Sequence, residues 1–545
     1  MAGSGGVDCC SLRLPDDSLF LGLDCSTQSL KATLLDAGLA IVATDSVHFD
    51  TDLPHYGTRA GVRRDPAERG RIVSPPLMWA EALDLLLTRL RPRADLRRVA
   101  AVSGSAQQHG SVYWAKGAAA ALAALDPARG GLAPQLALAG AFAAPESPVW
   151  MDSSSAAQCR EVEAAMGGAL RLAALTGCRA HDRCTGPQIR KMHQTRPRVY
   201  DDTERVSLVS SFMASLLVGG YACIDHTDGA GMNIMDIATR QLRQDALQVH
   251  YFPLFVEEMF VIQSFRLQQT FQFASSCLVI QWSGDNPNSL AGFGVTNSPE
   301  PTLEGNIFPN PVDPKTYMVL LCYKNGSLTR EDLRNHYAER SWDMFNMFLE
   351  ETAPLNGGKL GFYYKEHEIL PPLPVGYHRY IIKNLSSGSL DAMVEEEVGE
   401  FDPPSEVRAI IEGQFLSMRA HAEQCGLPVP PKRIIATGGA SSNPIILKIM
   451  ASIFGCPVYT SQRSDSASLG AALRAAHGWL CDQQDEFVPF SCVYSGRLDR
   501  TSLSMKLAVP FGDREGDTEL LDSYTLLVKK RLEIEQKLIE RFGRQ

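Results

Sequence analysis

Three observations in the sequence predict an α/β protein of two domains. Strand-like apolar runs alternate with helical patterns in both halves, polar turns sit where strands end, and 545 residues at 45% hydrophobic composition exceed a single ordinary core. The first half opens with Leu19 to Asp36, two apolar runs around the turn Cys25-Ser26-Thr27-Gln28-Ser29, which predicts a hairpin with Asp24 at the end of its first strand. A helical pattern over Leu77 to Leu90 precedes a strand at Val99 to Ser103, and that strand runs into Gly104-Ser-Ala-Gln-Gln-His-Gly110. Glu161 to Leu175 has helical composition, Val206 to Val218 suits a buried helix, and Asp225 to Gly231 is a polar turn. The aromatic-rich stretch from Asp245 to Cys277 has too little periodicity to assign.

The second half begins with the strand candidate Leu278 to Trp282, leading into Ser283-Gly-Asp-Asn-Pro287. Tyr317 to Cys322 follows, then a helix over Ser405 to Cys425 and a strand over Arg433 to Thr437, which enters the loop Gly438-Gly439-Ala440-Ser441. Pro457 to Tyr459, a helix near Ala467 to His477 and a charged helix over Leu520 to Phe542 complete the chain.

Fifty-two Lys and Arg stand against 62 Asp and Glu, a formal charge of −10 without a basic block, which argues against a nucleic-acid partner. No apolar run approaches the roughly 20 residues that cross a bilayer, so no membrane partner is expected. The start of the chain has Asp8, Asp16 and Asp17 where a secretory signal would be basic and then apolar, and this predicts a cytoplasmic location. The 13 cysteines are scattered without a CxxC pair, which predicts reduced thiols rather than a disulfide framework or a zinc site.

Several polar turns carry residues suited to chemistry. Asp24 with Ser26 and Thr27 puts a carboxylate, hydroxyls and turn amides where a Mg²⁺-bound polyphosphate would need them. Gly438 and Gly439, between a strand and a helix, allow close approach of a nucleotide to the backbone. Asp228 is a candidate general base, His109 a source of donors for a sugar hydroxyl, and Asp285 beside Asn286 a pair suited to polyol recognition. Each of these patterns also makes an ordinary turn, and local pattern alone does not separate the readings.

Their order along the chain does. Gly22-Leu-Asp-Cys-Ser-Thr-Gln, Ser103-Gly-Ser-Ala-Gln-Gln-His-Gly-Ser, Val149-Trp-Met-Asp-Ser-Ser, Ser207-Leu-Val-Ser-Ser-Phe, Asp225-His-Thr-Asp-Gly-Ala-Gly-Met-Asn, Ser283-Gly-Asp-Asn-Pro, Lys324-Asn-Gly-Ser-Leu and Ala436-Thr-Gly-Gly-Ala-Ser form one colinear series. Over nearly its whole length the chain resembles the FGGY carbohydrate kinases, and within them the eukaryotic type acting on xylulose. The resemblance implies two ribonuclease H-like domains of the actin and sugar-kinase type, residues 1–276 on the sugar side and 277–545 on the nucleotide side, with a cleft between them. It implies transfer of phosphate from ATP, with Mg²⁺, to D-xylulose. Asp228 matches the family's base, and Asp24 matches the acid of the first phosphate hairpin that helps hold the metal. His109, Arg183, Asp285 and Asn286 match sugar contacts, and Trp342, Gly438, Gly439 and Asn443 match the nucleotide side.

One departure stands out. Family members carry a second phosphate hairpin with a Gly-Thr-Ser-Asp turn soon after Gly-Asp-Asn-Pro, whereas this chain passes from Ser289-Leu-Ala-Gly292 directly to Phe293-Gly-Val-Thr. Residues from His250 to about Thr270 also leave the pattern. The gap predicts a loosely packed second domain and very low ATP turnover. It keeps open a kinase of another small ketose or polyol, such as glycerol or ribulose, and a non-catalytic sugar- or nucleotide-binding protein on the same fold.

Overall fold

The computed structural model describes residues 12–249, 265–266, 273–286, 301–310, 315–437, 439–460, 466–494, 506–512 and 516–542. Contacts divide the chain into two compact units, Met1–Met318 with Asp465–Ser502, and Val319–Ser464 with Leu503–Gln545. The sequence drew its boundary at 276/277 instead, and that division by sugar and nucleotide side remains a proposal. The unfamiliar stretch from His250 to about Thr270 and the point where the second hairpin is missing lie outside the described residues, apart from one short strand named below.

In the first unit, β1 (Leu19–Cys25) is buried along its whole length, as a strand must be when both faces of a sheet are covered. It pairs antiparallel with β2 (Ser29–Asp36), the predicted hairpin, and β2 continues antiparallel to β3 (Ile41–His48). Helix α1 (Pro76–Leu90) buries Trp79, Leu83, Leu86, Leu87 and Leu90 against this sheet. Strand β4 (Val99–Ala106) lies parallel to β1 on its other side, with Ser105 opposite Asp24, and β5 (Ser111–Ala115) follows the loop that ends β4.

The helix expected over Glu161 to Leu175 is two, α2 (Ala156–Ala165) and α3 (Ala169–Thr176). They part at Gly167 and Gly168, whose φ of 85° and 107° no helix accommodates. After α4 (Thr185–Thr195), the apolar run near Val206 splits into β6 (Thr203–Leu208), paired with β5, and α5 (Val209–Val218). The turn expected at Asp225 is a short helix, α6 (His226–Ala230), capped by the Asp225 carboxylate. The aromatic-rich stretch contributes β7 (Phe265–Arg266), antiparallel to β8 (Leu278–Val279). The strand candidate at Leu278 is thus only two residues long. β8 and β9 (Ser283–Gly284) both run parallel to β4, completing a seven-stranded sheet in the order β7-β8-β4-β1-β2-β3 with β9 also on β4. β10 (Asn306–Pro309) ends this part of the unit.

The second unit is built on helices and small sheets. α7 (Ser327–Tyr337) and α8 (Trp342–Glu351) precede the meander β11 (Lys359–Tyr364), β12 (Gly376–Lys383) and β13 (Val394–Val398). Helix α9 (Pro403–Gln424) starts at an Asp402 cap with Pro at its first positions and runs through the middle of the unit. It buries Glu406 and Glu412, which are paired with Arg379 at 2.5 Å and Arg408 at 2.6 Å. β14 (Ile434–Ala436), α10 (Pro444–Phe454) and β15 (Val458–Thr460) follow as a parallel β-α-β unit. The chain then returns to the first unit with α11 (Ser466–Gln484), before β16 (Lys506–Val509), on β15, and α12 (Asp517–Phe542) close the second. Among the described residues, the second unit's β11 to β13 and β14 to β16 sheets have three strands each.

Helix α11 lies directly on the first unit's sheet. A Cβ on Gly22 of β1 would sit 2.0 Å from the Ser468 carbonyl and 2.2 Å from the Ala472 nitrogen, so only glycine permits this approach. Thr33 and Ser468 hydroxyls hydrogen bond at 2.8 Å beside it, and a Cβ on Gly478 would meet Ile280 at 2.4 Å. Ten described cysteines are free thiols and Cys492 is disulfide-bonded, against the expectation of reduced thiols throughout.

Gly22→Ala is expected to destabilise the protein toward the upper end of the about 1–3 kcal/mol typical of overpacking, because the obstacle is helix backbone. Gly220→Ala, where a Cβ meets nothing within 4 Å, is the control and should stay within about 1 kcal/mol of wild type. Urea unfolding followed by circular dichroism compares the two.

Candidate functional site

The acids of the first unit gather where its parallel strands end. Asp24 stands one residue before the end of β1, buried, and both of its oxygens accept hydroxyl donors: Oδ1 from Ser105 at 2.7 Å, Oδ2 from Ser26. Thr27 Oγ1 accepts from Trp150 Nε1 at 2.8 Å, which fixes the turn between β1 and β2. Asp285 follows β9, and its own charge is opposed by burial and by Asp24, so its carboxyl is pushed up to about 7. Asn286 Nδ2 donates to Gln108 Oε1 at 3.0 Å, tying the segment after β9 to the loop after β4.

Two glycines make this junction possible. A Cβ on Gly104 would stand 2.2 Å from the buried Trp282 ring, and one on Gly284 would stand 2.4 Å from the Gln108 side chain. The strands therefore deliver Gln108, Asp285 and Asn286 to one place because two of their residues have no side chain.

His109 follows at φ 69°, in the left-handed region that non-glycine residues rarely adopt. Its Nδ1 lies 3.0 Å from the Gly231 carbonyl oxygen, and a carbonyl only accepts, so Nδ1 carries the proton. Burial, then the charge of Arg183, lowers His109 to about 3, so the ring is neutral and Nε2 is an acceptor. His109 is expected to supply donors to a sugar hydroxyl; with its Nδ1 proton on the Gly231 carbonyl, its Nε2 can only accept. Arg183 Nη2 donates to Asn306 Oδ1 of β10 at 2.8 Å, and the Thr185 hydroxyl donates to the His109 carbonyl at 3.0 Å.

Asp228 sits on α6 in full burial. Its Oδ2 accepts from Ser210 of α5 at 2.5 Å, while Oδ1 is buried with no hydrogen-bonded partner among the described residues. Its backbone amide donates to Asp225 Oδ1 at 2.6 Å, the cap of the helix. Burial, followed by the charge of Asp225, raises the Asp228 carboxyl well above the usual range, with Asp285 adding to the rise and the Ser210 and Gln108 side chains opposing it. An unsatisfied buried acceptor is costly, and a hydroxyl of a bound molecule is the kind of group that would relieve it.

The nucleotide-side candidates belong to the second unit. Trp342, Gly439 and Asn443 line a pocket of about 690 Å³ together with Arg330, Asn346 and Thr437, within the size range of small-molecule sites. Gly438 lies outside the described residues. Trp342 is 41% exposed at the start of α8, with the Arg334 guanidinium 4.6 Å from its ring centroid. Asn443 has a structural duty as well: its Oδ1 accepts from the amides of Ile445 at 3.0 Å and Ile446 at 3.2 Å, capping α10, and its Nδ2 donates to Asn346 at 2.7 Å.

Sequence reasoning missed Ser210, Asp225 and Arg474. Ser210 lay inside a quoted motif, Asp225 was read only as a turn former, and Arg474 is the charge interrupting an Ala- and Leu-rich helical run. Arg474 is 9% exposed on α11, with Nη1 3.6 Å from Asp225 Oδ2. Among the described residues no cluster of three or more acids, histidines and cysteines could hold a metal ion, and no helix is long and apolar enough to cross a membrane.

Residues 291–479 match the model of the C-terminal domain of the FGGY family of carbohydrate kinases. The chain is 57% identical to "Xylulose kinase 2" of Arabidopsis thaliana over 98% of its own length and 99% of that protein's. It is 45% identical to the xylulose kinase of Mus musculus, over 84% of this chain and 85% of that one. Among solved structures, a ligand-bound xylulose kinase from Lactobacillus acidophilus superposes with a TM-score of 0.74 at 16% identity, covering 96% of this chain and 99% of that one. The fold is that of the two-domain sugar kinases, and the chain belongs to the FGGY family of carbohydrate kinases, with the xylulose kinases of eukaryotic type.

Proposed function

We propose that the chain transfers the γ-phosphoryl group of ATP to D-xylulose, giving D-xylulose 5-phosphate and ADP, with Asp228 as general base. The observation that carries this reading is the buried Oδ1 of Asp228, without a hydrogen-bonded partner among the described residues, beside the hydrogen-bonding groups of Gln108, Asp285 and Asn286, in a chain of this family. The ketose hydroxyl gives its proton to Asp228 as its oxygen bonds to phosphorus, and the bond from phosphorus to the ADP oxygen breaks. A carboxyl raised toward the working pH is well matched to that task. His109 Nε2 accepts from the sugar, while Arg183, Asp285 and Asn286 supply its other polar contacts.

On the other substrate, Asp24, Ser26 and Thr27 form the phosphate turn. Asp24 presents hard carboxylate oxygens, and one carboxylate with the phosphates themselves is the usual way Mg²⁺ is held. The ion would supply positive charge against the phosphate oxygens. Trp342 offers an exposed ring for base stacking, Gly439 and Asn443 line the remaining nucleotide side, and Gly438 is assigned there by the family motif alone. A cytoplasmic site of action accords with these substrates.

A second reading, a sugar- or nucleotide-binding protein with little turnover, rests on the passage from Gly292 to Phe293 without a phosphate hairpin. The alignment with the Arabidopsis relative spans 562 positions, more than the 545 residues here, so that relative has residues with no counterpart in this chain. Val319, Leu320 and Leu321 are only partly buried, as apolar residues beside a missing strand would be. A kinase preferring another small ketose or polyol would differ around His109 and Arg183.

In a form with the phosphate hairpin restored, Asp228→Asn is expected to lower xylulose-dependent ADP release by about a hundred- to ten-thousand-fold while calorimetry finds sugar affinity nearly unchanged. Since the base acts ionised, kcat/KM should fall as pH drops through a pKa above the ordinary carboxylate range. A loss of only a few-fold would refute the role of Asp228. Inserting a phosphate hairpin of the family pattern, with its Gly-Thr-Ser-Asp turn, after Gly292 should raise both melting temperature and turnover; equal values with and without it would show the segment to be dispensable. Asn443→Ala should cost about 0.5–2 kcal/mol as a lost cap, whereas Asn443→Asp retains the cap and should stay close to wild type in thermal unfolding.

A further inference from the structure

Arg474 has no place in the substrate contacts above, yet it is the cation beside the buried acids of α6. It stands on α11, which the chain adds to the first unit only after most of the second has been made. Its guanidinium reaches Asp225 Oδ2 at 3.6 Å, and the other oxygen of that carboxylate holds the amide of Asp228 at 2.6 Å. Asp225 thus has one oxygen on the helix that carries the base and one on the arginine. Arg474 Nη1 is buried and forms an ion pair without a hydrogen bond, so its contribution there is charge more than directed bonding.

The groups facing Asp228 set the stakes. Its own helix brings Asp225 and His226, whose imidazole burial keeps below its ordinary value. α5 brings Ser210, the loop after β4 brings Gln108 and His109, the segment after β9 brings Asp285, and β10 brings no charge but the Pro309 carbonyl, bonded to Thr227. Arg183 is engaged with Asn306 and acts on His109. Two further carboxylates therefore raise the cost of a charge on Asp228, and Arg474 is the cation that offsets it.

We propose that Arg474 is a positioning residue for the base: through Asp225 it holds the start of α6 in place and supplies the positive charge that lets Asp228 act ionised at neutral pH. The inference rests on the reading of Asp228 as the base. An opposite charge within about 4–6 Å shifts a carboxyl by about 1–3 units, and acting past an intervening carboxylate the effect belongs at the low end. Removal of the charge should move the acid limb of kcat/KM up by about one pH unit, a tenfold loss below the limb that recovers at higher pH.

The test uses the full chain with Arg474→Gln, Arg474→Lys and the double variant Asp225→Asn/Arg474→Gln. Arg474→Gln should shift the limb upward with little change in KM for xylulose. Arg474→Lys, which keeps the charge, should restore most of it, and the double variant, lacking both charges, should return toward wild type. A readout free of turnover is the slope of melting temperature against pH between 5 and 9. A carboxyl raised in the folded state binds its proton more tightly there than in the unfolded chain, so stability is lost as pH rises toward the folded pKa. Arg474→Gln should steepen that loss, and adding Asp228→Asn should abolish the extra slope. A rate loss equal at all pH values, or melting curves parallel to wild type, would overturn the proposal. A steepened slope in a chain whose turnover does not respond to Asp228→Asn would keep the electrostatic link and refute only the base assignment. If Arg474→Gln does not fold, the inference is decided by Arg474→Lys: wild-type pH behaviour supports it, an altered limb overturns it.

Discussion

The approach of helix α11 to β1 at Gly22 governs the first unit. With no Cβ in the way, helix backbone lies against strand backbone, and the sheet gains a cover on the face where Thr33 meets Ser468. Only with that cover can β1 be apolar and buried along its whole length and still end in a carboxylate. The same contact carries Arg474 to Asp225, so one missing methyl group links the packing of the sheet to the charge balance of the buried acids.

Parallel strands that stop in register bring their terminal residues together, and here β1, β4 and β9 stop at Asp24, Gln107-Gln108-His109 and Asp285-Asn286. Asp24 raises Asp285, and Asp285 adds to the rise of Asp228, in poorly solvated surroundings, while hydroxyls from Ser26 and Ser105 bond to Asp24 and one from Ser210 bonds to Asp228. Hydroxyls stabilise a carboxylate without neutralising it.

The sequence made the first hairpin legible because its two apolar runs and polar turn are contiguous, and the end of β4 because Gly104 to Gly110 breaks the pattern so sharply. It hid β6, since Val206 and Leu208 continue without interruption into the apolar α5, and periodicity cannot mark a boundary between two buried elements. It hid α6 because a five-residue helix begun by Asp and ended by Gly has the composition of a turn. Asp228, Asp24, His109 and Asp285 were readable as candidates from their loops, but the tautomer of His109 depends on the Gly231 carbonyl, a partner distant in sequence. Arg474 was unreadable for the same reason: its meaning lies in Asp225, which only folding brings near. Asn443 shows the converse, a residue chosen by resemblance whose visible bonds are those of a helix cap.

The late position of α11 in the chain has a consequence for biosynthesis. A ribosome completes the strands of the first unit long before it has made Ser466–Gln484, and during that interval β1 presents the face of Phe20 and Gly22 without the helix that will lie against it. The first unit is therefore a nascent structure waiting on synthesis of the second, and premature termination inside the second unit would leave both unfinished. A folding helper that shields apolar sheet surface on the emerging chain has its natural window there, between translation of β4 and release of α11.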